Sequence, residues 1–330
     1  MEVYFPAYYH SFRCLAGDCP DSCCKEWTVD VDPESAKFYR QLEGSLGDRL
    51  RQVLTDTPDG TVMTIEDGRC PMWQQDGLCR IQAELGHGAL CKTCREFPRL
   101  THDYGDFVEL GLELSCPEAA RLIFQGEGGL LVQTQPGGTK PDYEPEIMDI
   151  LKASRRAARD FLRGADNVPQ ALAALLLYGM DVQDAVDQGV ALEYDPEDCI
   201  AELEKFEFEG DLGDFLRFYR GLEILTPQWK SRLDMPADHL QWQPGTEKLA
   251  CYLVDRYWLQ AVSDCDILCR VKFIIAACIL VTALGGNLME TAQLFSKEIE
   301  NDPDNVEKIL DSAYTSPALT DANLLGLLLG

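Results

Sequence analysis

The chain has 330 residues, 46% of them hydrophobic, with 14 cysteines and a formal net charge of −27. That length and apolar content supply a core without disulfides and indicate one large domain or two ordinary ones. The charge excludes a nucleic-acid binder, because phosphate binding is driven by Lys and Arg and the basic residues here form no long run. Acidity of this size chiefly keeps a protein soluble, and it can favour a basic group on a partner. The opening "MEVYFPAYYHSFRC" lacks the basic segment and apolar stretch of a signal peptide. The expectation is therefore a cytoplasmic protein, in which clustered cysteines mean metal or redox chemistry.

Along the chain, the first 116 residues hold nine of the cysteines, many Pro and Gly, and short apolar runs. From Asp32 to Leu54 a capping residue, a Pro at the first turn and apolar spacing at Phe38, Leu42, Leu46 and Leu50 predict a helix followed by a shorter one. Val62–Glu66 and Phe107–Leu114 alternate as strands do and predict a small hairpin-like sheet near the cysteines. Residues 127–145, rich in Gly and Pro, read as a linker. Beyond it the pattern is helical: 147–162, 168–177, 196–207, 212–225, 246–261, 267–284, 289–299 and 305–313. The fold class expected is mainly α with a loop-rich, cysteine-rich N-terminal metal-binding module containing short β strands. Its divisions are 1–126 for the module, 127–145 for the linker and 146–330 for a helical domain. The most apolar window, Phe273–Leu284, is shorter than the roughly 20 residues a membrane span needs, so it reads as a buried helix.

The N-terminal cysteines run C-x4-C-x3-C-C from Cys14 through Cys19 and Cys23 to Cys24. Cys70 before Pro71, Cys79, the C-x2-C pair Cys91 and Cys94, and Cys116 before Pro117 follow. Close spacing in loops lets the chain turn back and point several thiolates at one centre. Only Cys91 and Cys94 make a C-x2-C pair, which matches a zinc ribbon poorly, whereas iron–sulfur clusters tolerate varied spacing and have Cys-Pro junctions among their ligand runs. Spacing alone leaves iron–sulfur and zinc open. His10, His87 and His102 read as exposed or core residues rather than ligands.

The stretches "CLAGDCPDSCCKEW", "GRCPMWQQDGLCRIQ", "CKTCREFPRL" and "LSCPEAARLI", with "EKLACYLVDRYWLQAV" further on, resemble the flagellin lysine-N-methylase family. That family is itself similar to a wider group of zinc- or iron-chelating proteins with eight shared cysteines. Carried over residue by residue, the resemblance implies metal ligands among Cys14, Cys19, Cys23, Cys24, Cys70, Cys79, Cys94 and Cys116. Cys91 ranks below Cys94 because a Pro stands near its position in the wider group. The resemblance also implies a [4Fe-4S] cluster, with zinc as the alternative metal, and methyl transfer from S-adenosylmethionine to lysine amines of flagellin. Eight cysteines exceed one cluster's four ligands, leaving a second site or a packing role for the others.

Such a transfer needs a neutral amine held in line with the methyl group, so the site must desolvate the lysine or offer it a base. Tyr8, Tyr9, Trp27, Tyr252 and Tyr257 are candidates by proximity to the motifs, and each reads more readily as a core or interface aromatic. No S-adenosylmethionine site is legible: "QGEGGLL" adjoins the linker, and Glu26 stands where a radical-type third cysteine would. Cys265, Cys269 and Cys278 read as core residues, with the first two sharing a helix face. Arg155, Arg156 and Arg159 read as a solvated basic stripe. No motif of a hydrolase or phosphate loop is present. The rival function is a non-enzymatic zinc- or iron-binding protein that handles metal; an electron carrier leaves the long helical part without a role. The sequence expects no membrane partner and is silent on oligomeric state.

Overall fold

The computed structural model describes residues 1–330 apart from 26, 127–128, 191, 193–194, 207 and 237–238. Chain order begins with strand β1 (Glu2–Pro6), then β2 (Val29–Val31), helices α1 (Pro33–Gln41) and α2 (Gly44–Val53), and the hairpin β3 (Leu54–Thr57) and β4 (Gly60–Met63). Two short helices, α3 (Arg80–Leu85) and α4 (Lys92–Glu96), lead to β5 (Arg99–Asp103), β6 (Phe107–Leu112), α5 (Pro117–Gln125) and β7 (Leu130–Thr134). The helical part comprises α6 (Pro145–Arg163), α7 (Val168–Gln188), α8 (Asp198–Glu202), α9 (Leu212–Arg220) and α10 (Pro227–Asp234). It continues through α11 (Thr246–Tyr257), α12 (Ile267–Leu284), α13 (Leu288–Phe295), α14 (Pro303–Asp311) and α15 (Asp321–Leu329). The protein is mainly helical with short strands.

The expected strands at 62–66 and 107–114 form in part, but in different sheets. The first sheet has the order β5-β6-β1-β7, with β1 parallel to β6 and antiparallel to β7. The second has the order β2-β4-β3 and is antiparallel. A parallel pair requires a long crossover. Here the connection from β1 to β6 is residues 7–106, and it contains every cysteine from Cys14 to Cys94. Within 127–145, whose first two residues lie outside the described set, Leu130–Thr134 pairs with β1 as an edge strand. Pairing in the sheet overrides the local Gly and Pro content there.

Inside the crossover, Asp32 joins two helices: one carboxylate oxygen accepts the Ser35 N–H of α1 at 3.0 Å and the other accepts the Lys92 N–H of α4 at 2.7 Å. Helix α1 buries Tyr39 and leaves Phe38 44% exposed, so the apolar face turns one residue from the expected one. Tyr39, Leu46, Leu50, Met63, Met72, Ile81 and Leu90 form a small core of their own, into which Cys91 is packed.

The main core belongs to the helical part. Helix α12 is buried at every position but Leu268, as its uniform apolarity requires. Among the described residues it is the one helix long and apolar enough to cross a membrane, and it lies inside the protein. Gly179 of α7 lets that helix approach it closely, since a Cβ there would stand 2.9 Å from the Val271 side chain. Phe107, Leu114, Ala120 and Ile123 insert into this same core and dock the first sheet and α5 on the helices. Three readings change here. Cys265 has φ +60 and precedes the Asp266 cap of α12, so it does not share a helix with Cys269. Helices α10 and α15 were not anticipated. The expected helix at 196–207, whose last residue lies outside the described set, is the short α8 followed by a turn at Leu203–Lys205.

The basic stripe on α6 is largely buried. Arg155 is 7% exposed and binds Glu109 of β6 through both nitrogens, at 2.5 and 2.8 Å. Arg159 is 9% exposed and meets Asp255 of α11 at 2.9 Å, while Arg156 alone faces solvent. Removing one partner of a buried pair strands the other charge, at about 3–5 kcal/mol. Arg155→Leu is thus expected to lower the urea midpoint by that equivalent, whereas Arg156→Ala leaves it in place; equal midpoints for the two variants would refute the assignment.

Candidate functional site

Two groups of side chains concentrate the chemistry: the thiols of the crossover and a polar network under a cleft in the helical part. All fourteen cysteines are free thiols. The Cys14–Cys24 loop has little regular structure beyond a turn at Ala16–Asp18, and its position is fixed through Asp21. That carboxylate binds Lys25 at 2.8 Å, accepts the Gln293 side-chain N–H of α13 at 3.0 Å, and pairs with Lys297. The Gln293 amide also donates to the Ser115 carbonyl at 3.0 Å, which brings Cys116 to the same place.

The other end of the loop pairs with the segment before Cys70, whose N–H donates to the Cys24 carbonyl at 2.9 Å. The Cys70 thiol contacts the Met63 sulfur at 3.6 Å. Cys70, Cys79 and Cys94 all pack on the small core that contains Cys91. The eight predicted ligands thus fall into two adjoining groups: Cys24, Cys70, Cys79 and Cys94, joined by Cys91, and Cys14, Cys19, Cys23 and Cys116. The thiols of Cys23 and Cys24 influence one another's ionisation, as do those of Cys91 and Cys94, and Cys94 feels both members of the first pair.

In each pair the neighbouring thiol and then burial raise one member, Cys23 or Cys94, while the neighbouring thiol holds the other, Cys24 or Cys91, towards thiolate. Burial and then the neighbouring sulfurs push Cys70 up to about 12 and Cys116 up to about 11. Thiols that penalise one another's ionisation are suited to a positively charged centre, which removes the penalty. The donor set therefore fits a thiophilic metal or cluster in its chemistry. Among the described residues, however, no three Cys, His, Asp or Glu side chains already stand in a metal-holding arrangement. The Cys116–Pro117 junction also has a second cause, because Pro117 occupies the first turn of α5.

The polar network grows from α11, where Tyr252 and Arg256 are four residues apart and share a face. The Tyr252 hydroxyl accepts the Arg256 Nη1–H at 2.8 Å and the Leu114 N–H at 3.3 Å, and donates to Glu300 at 3.2 Å. Tyr257 donates to the same carboxylate at 3.1 Å. Arg256 Nε closes the ring at 3.2 Å, with the Glu300 side chain fully enclosed. Glu300 lies in a single π turn, Ser296–Glu300, that continues α13. Burial drives both phenols well above their ordinary value. Burial opposes the charge of Arg256, but Glu300 and the phenols outweigh it and hold the guanidinium protonated. Nearby, burial raises the Glu113 carboxyl despite Arg256.

A cleft of about 730 Å³ opens above this network. Its floor includes Arg256, Tyr257 and Glu300, and its walls carry His102 of β5, Asp264, and Glu307 and Asp311 of α14. A second, small cavity of about 50 Å³ lies behind, lined by Tyr8, Tyr252, Arg155 and Glu109. His102 and Arg256 border both spaces, and the His102 Nε2 is buried with no hydrogen-bond partner. Of the aromatic candidates, Tyr8, Tyr252 and Tyr257 meet around these two spaces. Tyr9 packs on Phe5 and His10, and the exposed Trp27 donates its indole N–H to the Cys23 carbonyl at 2.6 Å. His102, Glu300 and Arg256 were missed as functional residues. The four-residue spacing of Tyr252 and Arg256 was a readable signal; nothing in the sequence marked Glu300.

A thiol-rich segment is thus inserted into a mainly helical body that carries a polar cleft. The chain is 32% identical over 136 residues to the Flagellar biosynthetic protein FliU of Salmonella muenchen, covering 37% of this chain and 77% of that protein. It is 32% identical over the same length to proteins named Lysine-N-methylase from Salmonella typhimurium and Salmonella choleraesuis, covering 37% of this chain and 32% of each of those. The chain belongs to the flagellin lysine-N-methylase family. It spans about a third of the length of the two named methylases. No protein-family model matches the chain, and no solved structure matches it.

Glu300 is the acceptor on which the network closes. Tyr252→Phe removes one hydroxyl with three partners and should cost about 1–3 kcal/mol. Glu300→Gln strands the Arg256 charge and should cost about 3–5 kcal/mol. Thermal melts followed by circular dichroism should rank the two variants in that order, and a Gln variant as stable as the wild type would refute the pairing.

Proposed function

We propose that this protein is an S-adenosylmethionine-dependent N-methyltransferase acting on lysine side chains of flagellin in the cytoplasm. The observation that carries the reading is the kinship with proteins named lysine-N-methylase. The thiol module, residues 1–126, would hold a [4Fe-4S] cluster, with zinc as the alternative metal. Cys24, Cys70, Cys79 and Cys94 are the ligands favoured by their shared position, with Cys91 beside them. When bound, the cluster supplies a compact cationic centre that organises a loop-rich segment, so that metal affinity is also folding energy.

The helical part, 146–330, supplies the polar groups. Methyl transfer from a sulfonium to an amine needs alignment and an unprotonated nitrogen more than acid–base power on the leaving group. A floor of fixed phenols and a guanidinium, already hydrogen-bonded in place, aligns a substrate without reorganising.

The test is anaerobic purification followed by iron, sulfide and zinc analysis, with methyl transfer from labelled S-adenosylmethionine to flagellin measured on the same sample. About four irons and four sulfides per chain are expected, with label in flagellin and both iron and label reduced in Cys94→Ser. Stoichiometric zinc without sulfide would overturn the cluster. Metal without any methyl transfer would overturn the enzyme and leave the metal-handling protein.

A further inference from the structure

The cleft above Glu300 has a charge and shape of its own. Asp264, Asp266, Glu300, Glu307 and Asp311 line it against one guanidinium, Arg256, which is already committed to Glu300 and Tyr252. Asp264 is engaged by Arg270 at 2.8 Å, and Asp266 caps α12. Glu307 and Asp311, one turn apart on α14, are exposed at the rim. Pro303, Val306 and Leu310 give the wall between rim and floor an apolar surface. His102, on another wall, has an enclosed Nε2 with no hydrogen-bond partner. Acidic mouth, apolar wall and buried acceptor together match a long aliphatic stem with an amine at its tip.

We propose that this cleft receives a lysine side chain. Its methylenes lie along Val306 and Leu310, its ammonium is drawn in by Glu307 and Asp311, and His102 Nε2 takes the proton the amine must lose. The binding half of this inference stands by itself; the proton-transfer half rests on the methyltransferase reading. The lysine ammonium gives one proton to Nε2. The freed lone pair then forms the N–C bond to the methyl carbon of the sulfonium donor as the S–C bond breaks, its electron pair leaving on sulfur. The product is a methylammonium and a thioether, and the imidazolium returns its proton to solvent.

The groups facing His102 are Glu109 of β6, directly across the sheet, Arg155 of α6, Arg256 of α11 and Glu300 of the π turn. Burial and then Arg256 hold its pKa below the ordinary imidazole value, with Glu109 opposing, so the ring is neutral and can accept a proton at pH 7. Arg256 is neutralised there by Glu300, so burial is what disfavours the ammonium beside His102, while the carboxylates of the rim favour it charged.

A fluorescent peptide with one lysine among Gly and Ser, and its norleucine counterpart, test the binding half at low salt. The wild type should bind the lysine peptide, and Glu307→Lys with Asp311→Lys should weaken it at least about tenfold. Equal binding of both peptides, no effect of charge reversal, or no binding up to about 1 mM would overturn the cleft. His102→Gln should keep peptide affinity but lose about 100-fold in methyl transfer at pH 7. That loss should shrink towards pH 10, where the amine deprotonates unaided; a loss equal at all pH values would overturn the base. Lysine-dependent binding with no methyl transfer by the wild type would support the cleft while overturning the methyltransferase reading.

Discussion

A carboxylate enclosed in protein, Glu300, organises the middle of this molecule. An isolated buried charge costs several kcal/mol, and the cost is offset only when opposite charge and hydrogen bonds meet it. Arg256 and the hydroxyls of Tyr252 and Tyr257 do so from one helix. Each donor is thereby fixed: Tyr252 cannot rotate without abandoning the Leu114 N–H, and Arg256 cannot leave without stranding Glu300. The result is a rigid polar floor inside an otherwise apolar core. Glu300 lies in a single π turn, and such turns recur at functional sites.

The thiol module has the opposite character. It is inserted between β1 and β6, has only a small core, and leaves Cys14 and Cys23 exposed. Asp21 ties it to the body through Lys297 and Gln293, and Phe12 packs on Ala119 and Leu122 of α5. Chains of this kind lack the apolar area to offset the entropy of ordering many loop residues. Neighbouring thiols that influence one another's ionisation are then liabilities unless something binds them, since each thiolate raises the cost of the next. A bound metal centre, as proposed, would remove that liability.

How far the sequence spoke depended on whether a pattern was local. Helix α12 was legible to the residue because its apolar run, Asp266 cap and terminal Gly285 are all local signals. The Cys residues were legible as a group for the same reason. Their partition into two groups was not, because it depends on which core each loop rests on. The burial of Arg155 was invisible: its stripe looks solvated until β6 supplies Glu109 from 46 residues away. β7 was hidden by Gly and Pro around it, and pairing with β1 decides its state. His102 was discounted because a lone histidine carries no spacing signal; only the meeting of β5 with α11 makes it the edge of two cavities.

The two chemical regions are mechanically connected by short covalent paths. Residues 113–116 carry, in succession, a carboxyl raised by burial near Arg256, the N–H bound by Tyr252, the carbonyl bound by Gln293, and Cys116. In the facing segment, Lys297 holds the cysteine loop and Glu300, three residues on, holds the network. A displacement of either segment moves a thiol and a floor residue together. Ordering the thiols around a metal would therefore also settle Leu114 and Glu300, and with them the phenols and guanidinium on which a substrate would rest. On the proposed reading, that coupling would let a metal held by the thiols influence the cleft without touching the reacting atoms.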